Sequence, residues 1–171
     1  MPLQRPDASE CPEYYFTYIN QVPDGDVRAY LDAQGAEAER AFEAITDQQS
    51  LHRYADGKWS IREVLAHVND CERLFMFRAF WFARDLEGGL PSFDQDVANT
   101  NAGADARSWQ SHVDEFRAIR ASTSSFMRGL PDDAWSRAGL ASGLPFTVRS
   151  LAWMSAGHVA HHLRVLRERY L

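Results

Sequence analysis

The chain has 171 residues, 25% of them charged and 45% hydrophobic, which suits one globular unit with a sizeable core and excludes a disordered chain. Its formal net charge is −6, from 18 basic and 24 acidic residues, so it lacks the basic footprint of a nonspecific nucleic-acid binder. Cys11 and Cys71 make neither a disulfide framework nor a CxxC pair, no stretch approaches the roughly 20 apolar residues of a membrane span, and Pro2, Gln4, Arg5, Pro6 and Asp7 do not suit a signal peptide. The expectation is a cytoplasmic protein with no nucleic-acid and no membrane partner.

Residues 1–23 hold Pro2, Pro6, Pro12 and Pro23 together with Tyr14, Tyr15, Phe16 and Tyr18, and predict an extended N-terminal arm packed on the body through its aromatics. Residues 24–171 are expected to form a single domain. After the start signal Asp24, Gly25 and Asp26, apolar residues at Val27, Leu31, Ala38, Phe42 and Ile45 predict a helix over 25–46. Asp56 and Gly57 mark a turn. Ser60 and Glu63 then form a capping box, opening a second helix through Val64, Leu65, Val68, Leu74 and Phe75 to about Leu86, with Gly88, Gly89 and Pro91 to stop it. The polar stretch 91–104 reads as a long connection that shapes a substrate entrance or crosses over. Trp109, Val113, Phe116, Ile119 and Phe126 predict a third helix over 105–128, followed by a loop with Gly139, Gly143 and Pro145. Thr147 is the N-cap expected for a fourth helix through Leu151, Met154, Val159, Leu163 and Leu166 to the end. Four amphipathic patterns without a convincing alternating strand predict an all-α four-helix bundle.

Half of the six histidines, His158, His161 and His162, fall within five positions of the last helix. Residues four apart lie one above the other on a helix, so His158 and His162 can point at one spot, with His67 on the second helix as a third imidazole if the two helices are neighbours. Three histidines leave positions open for water or substrate, and imidazole suits Zn, Ni, Cu and Fe. Val159 stands where a zinc protease of the HExxH kind needs Glu, and no Glu stands three residues before any of these histidines, as a di-iron bundle requires. His161, about 100° around the helix from His162, faces an outer partner of the site or solvent. Asp70, one turn after His67, is the candidate catalytic base or orienting carboxylate, and an ion pair with Arg73 is its plain alternative. Cys71 reads as a small core residue with no histidine placed to activate it, and His52 and His112 read as surface residues.

The ordered set Lys58, Trp59, Ser60, Ile61, then His67, Asp70, Glu72 and Arg73, and finally Gly157, His158, His161 and His162 through Arg169, Tyr170 and Leu171, resembles the DinB-like family of metalloenzymes. The likeness also takes in the segment from Tyr14 to Asp26 and so covers nearly the whole chain. The resemblance implies a four-helix bundle, often a homodimer, whose metal ligands fall on His67, His158 and His162. It also implies one divalent cation (Zn, Ni, Fe or Mn) and a small-molecule substrate. Characterised members of that family are transferases and isomerases using low-molecular-weight thiols such as bacillithiol or mycothiol. The function expected is therefore a metal-dependent thiol S-transferase acting on electrophilic small molecules. The alternatives are a metal-dependent hydrolase using a metal-bound water and a non-catalytic, stress-related metal-binding protein.

Overall fold

The computed structural model describes residues 4–171, and the first three residues of the expected arm, Pro2 among them, lie outside the described residues. The chain forms the expected all-α bundle from four long helices: α2 (Val27–Glu43), α3 (Ile61–Ala83), α5 (Trp109–Arg128) and α6 (Val148–Arg169). The arm adds a 3-10 turn and a short helix, α1 (Phe16–Ile19), and the 91–104 connection contains a further helix, α4 (Gln95–Ala102). No helix of the described residues is long and apolar enough to cross a membrane.

Capping fixes the helix starts. Asp26 accepts the Arg28 N–H at 2.9 Å, so α2 begins at Val27. The Ser60 hydroxyl takes the Glu63 N–H at 3.1 Å while Glu63 Oε2 takes the Ser60 N–H at 2.7 Å, which is the complete capping box of α3. Thr147 and Ser150 form a second box at the start of α6. Ser108 caps α5, so that helix opens four residues later than the sequence pattern suggests. Helix α3 stops at Ala83, three residues before the expected Leu86, because Asp85 turns into the left-handed region at φ 50°.

Helix α3 packs on α5 and α6, and α2 packs on the same pair, so α2 and α3 face each other across the bundle diagonal. A buried polar network ties all four together. Arg120 on α5 donates to Glu72 on α3 at 2.8 Å and to Gln34 on α2 at 3.1 Å, while Gln34 donates to the Ala156 carbonyl on α6 at 2.8 Å. Two apolar clusters fill the bundle. One gathers Phe42, Ile61, Leu65, Phe116, Val159 and Leu163, the other Leu31, Phe82, Met127, Phe146, Trp153 and Met154.

A β-hairpin, absent from the sequence expectation, joins α5 to α6. Its strands β1 (Ala138–Ala141) and β2 (Leu144–Thr147) pair antiparallel, with Ala141 opposite Leu144. Ser142 and Gly143 form the two-residue turn with φ of 56° and 74°, both in the left-handed region that such a turn requires. Leu90 bridges to this hairpin: its N–H donates to the Leu140 carbonyl at 2.9 Å, and its own carbonyl accepts the Ser142 N–H at 3.0 Å. The connection that leaves α3 is thereby pinned against the segment that enters α6.

Candidate metal centre

His67 on α3 and His158 and His162 on α6 come together where the two apolar clusters meet. His67 Nε2 lies 3.0 Å from His158 Nε2, and His162 Nε2 lies 3.1 Å from that same atom. Ring centroids are 4.9, 5.0 and 4.5 Å apart for the pairs 67–158, 67–162 and 158–162, a nearly regular triangle. His67 and His158 are buried and His162 is half-buried.

Hydrogen bonding alone does not account for this packing. An imidazole nitrogen offers either one N–H or one lone pair. His158 Nε2 has two nitrogen neighbours and cannot satisfy both. Two nitrogens bound about 2.0–2.1 Å from one cation lie about 2.9 Å apart at a right angle and about 3.3 Å apart at a tetrahedral angle. The observed 3.0 and 3.1 Å fall between those values, so His158 is spaced from His67 and from His162 as two ligands of one divalent cation are spaced. Burial holds the three rings neutral, as ligands must be. It pushes His67 down to about 4 and His158 and His162 well below the ordinary histidine value, with neighbouring imidazoles adding to the effect.

Aromatic rings enclose the cluster. Trp59 lies 4.9 Å from the His67 ring, Tyr18 5.3 Å from His158, and Phe75 5.9 Å from His158. Tyr18 reaches this position because Gly157, next to His158, has no side chain: a Cβ there would stand 2.2 Å from the Tyr18 carbonyl oxygen. Arm and α6 therefore approach backbone to backbone. His161 faces the outer side, against Tyr18 and His162, with its Nδ1 3.5 Å from Gln21 and 3.4 Å from Arg164.

Asp70 is not drawn into the cluster. Its carboxylate pairs with Arg73 at 3.5 Å and hydrogen-bonds no imidazole, and burial raises its pKa. Cys71 requires a correction, because a histidine does stand beside it: its Sγ lies 3.6 Å from His67 Nδ1 and 3.7 Å from Nε2. Together with His67 and His158, and without His162, it forms the one group of donor atoms among the described residues that all lie within 4.8 Å of one another. The four-residue spacing from His67 to Cys71 carries that contact in the sequence. Burial pushes the thiol up to about 12, which keeps it protonated while no cation is bound beside it. A second correction concerns His112, which is buried rather than on the surface because its Nε2 meets the Ala104 carbonyl at 2.9 Å.

Fold and cluster together define a four-helix bundle with a three-imidazole centre built between two of its helices. The chain belongs to the DinB superfamily, whose sequence model matches residues 30–166. No curated protein matches it in sequence. Among solved structures it is similar to YfiT from Bacillus subtilis, described as a probable metal-dependent hydrolase with an unusual four-helix bundle topology. The two share 18% identity and a TM-score of 0.70 over 95% of this chain and 89% of that one. It is also similar to the mycothiol-dependent maleylpyruvate isomerase, at 15% identity and a TM-score of 0.69 over 81% of this chain. This chain spans 58% of that isomerase, and at such identities the likeness is one of fold.

Proposed function

We propose that the chain is a divalent-metal-dependent enzyme that transfers a low-molecular-weight thiol, of the bacillithiol or mycothiol kind, to an electrophilic small molecule. His67, His158 and His162 would hold the cation. A bound divalent cation would supply the Lewis acidity that brings a thiol to its thiolate near neutral pH.

The observation that carries this reading is that cavities open on both sides of the imidazole cluster. One reaches His158 past Tyr14, Tyr18, Cys71 and Phe75. The other reaches His162 past Trp59, Lys58, His161 and Tyr170. Two co-substrates can therefore meet at one centre from two directions. Tyr18, Trp59 and Phe75 exclude water around the imidazoles, and the Tyr18 hydroxyl, its pKa raised by burial, remains a proton donor. A hydrolase using a metal-bound water would need a base beside that water, and Asp70, the carboxylate expected for that role, is engaged with Arg73.

The test is to load the protein with Zn²⁺, Ni²⁺ or Mn²⁺ and follow loss of bacillithiol or mycothiol in the presence of monochlorobimane. The expected result is one metal per chain and a rate at least tenfold above that of the free metal, with metal and rate both lost in His158→Ala. Hydrolysis of a simple ester without thiol, alongside no acceleration of thiol transfer, would overturn the proposal in favour of a hydrolase.

A further inference from the structure

Beyond the imidazoles, the His158-side cavity contains an unexplained charge. Arg78 lies on α3, seven residues after Cys71, so the two share one helix face about 10 Å apart along the axis. It is buried, at 3% exposure, yet no ion pair among the described residues includes it. Of its three nitrogens only Nη2 is engaged, donating to the Pro91 carbonyl at 3.1 Å and to the Ser142 hydroxyl at 3.2 Å. Nε is buried without a partner, and Nη1 has no hydrogen bond among the described residues.

The remaining walls do not neutralise it. The cavity is lined by Tyr14, Tyr15, Tyr18, Phe75 and Phe93 among others, and by no Asp or Glu. Burial pushes the guanidinium down from its ordinary value, and only Tyr15 and Cys71 act to hold it up. The other two buried arginines, Arg62 and Arg120, have Asp47 and Glu72 as counter-charges. A buried cation with no counter-ion is costly, and the unengaged Nη1 of this guanidinium can donate to a carboxylate oxygen. The same wall stores strain, since Ser142, which receives the Arg78 bond, is a non-glycine residue at φ 56°.

We propose that Arg78 is the anion-recognition residue of this cavity and that the small molecule it admits carries a carboxylate. The volume, about 160 Å³, is below the roughly 300 Å³ at which pockets for drug-sized ligands begin. A compact acid is thus the ligand class, seated with its carboxylate on Arg78 and its other end toward Cys71 and His158. The inference rests on the proposed function only in taking this cavity as the substrate's.

Benzoate and benzamide are matched probes, alike in shape and different in charge. Calorimetric titration of the chelator-treated, metal-free protein is expected to show benzoate binding at least tenfold more tightly than benzamide. Arg78→Gln is expected to equalise the two, and Arg78→Lys to keep part of the difference. Equal affinities in the unmodified protein, or a preference for benzoate that survives in a folded Arg78→Gln, would overturn the proposal. If Arg78→Gln does not fold, the comparison in the unmodified protein decides. Because no metal is present, charge selectivity without thiol transfer would sink the enzymatic reading alone, whereas thiol transfer without charge selectivity would sink this one alone. A further titration of the Zn²⁺-loaded protein distinguishes the carboxylate's source. If 3-mercaptobenzoate gains tenfold over benzoate, the acid belongs to the thiol partner, and if it gains nothing, the acid belongs to the electrophile.

Discussion

Acidifying the metal-free protein should unfold it through its imidazoles before its carboxylates. His67 titrates near 6.5 in an unfolded chain and at about 4 in the folded one, because burial disfavours its charged form. Between those values the unfolded chain holds a proton that the folded chain refuses, so stability falls as pH falls. The contribution is fully present above pH 6.5 and exhausted once the pH has passed through about 4. A separation of about 2.5 units at 1.36 kcal/mol each gives about 3 kcal/mol from His67 alone. His158 and His162 are shifted in the same direction and steepen the loss. For a chain of this length, about 3 kcal/mol is a fall of roughly 10 °C in Tm. The assay is thermal unfolding followed by circular dichroism, in a chelator, at half-unit steps from pH 7.5 to 4. His67→Gln, run in parallel, should show a shallower slope in the same window. A Tm that stays flat from pH 6.5 to 4.5, or an identical slope in the variant, would refute the reasoning that burial keeps these rings neutral.

Two further perturbations address the surroundings of the centre. Gly157→Ala places a methyl 2.2 Å from the Tyr18 carbonyl, forcing α1 off α6. Overpacking of this kind costs about 1–3 kcal/mol, and a Tm within 1 °C of the unmodified protein would show that the arm moves aside freely. Asp70→Asn should leave zinc affinity within twofold, since Asp70 pairs with Arg73 and meets no imidazole. A tenfold loss by competition with a chromogenic chelator would place Asp70 in the ligand set or directly behind it.

How much of this was legible beforehand depended on whether the governing interaction was local. The Ser60–Glu63 capping box and the Thr147 N-cap placed the starts of α3 and α6, because both partners of each capping hydrogen bond lie within four positions. His158 and His162 were readable as a pair for the same reason, and His67 joined them once α3 and α6 were taken as neighbours. The hairpin was not legible: its four-residue strands include Gly139 and Pro145, poor strand formers, and only the Ser142–Gly143 turn marks it. Gly139 is required there because a Cβ would stand 2.2 Å from the Phe82 ring, a contact 57 positions away along the chain. Helix α4 has one large apolar residue, Val97, and that residue is exposed, so no periodicity announces the helix; Asp94 caps it and α3 supports it. His112 was misplaced because a lone histidine does not reveal which carbonyl will accept its N–H.

The backbone contact between Gly157 and Tyr18 joins an early segment of the chain to a late one. During synthesis at about 5–20 residues per second, the roughly 130 residues separating α1 from α6 take about 6–26 s to appear. Throughout that interval Ile19, buried in the finished molecule, has no α6 to cover it. The arm is made before the helix on which it docks. Nascent chains of this protein therefore expose an apolar segment, where a chaperone can hold it, until the histidine-bearing helix has left the ribosome.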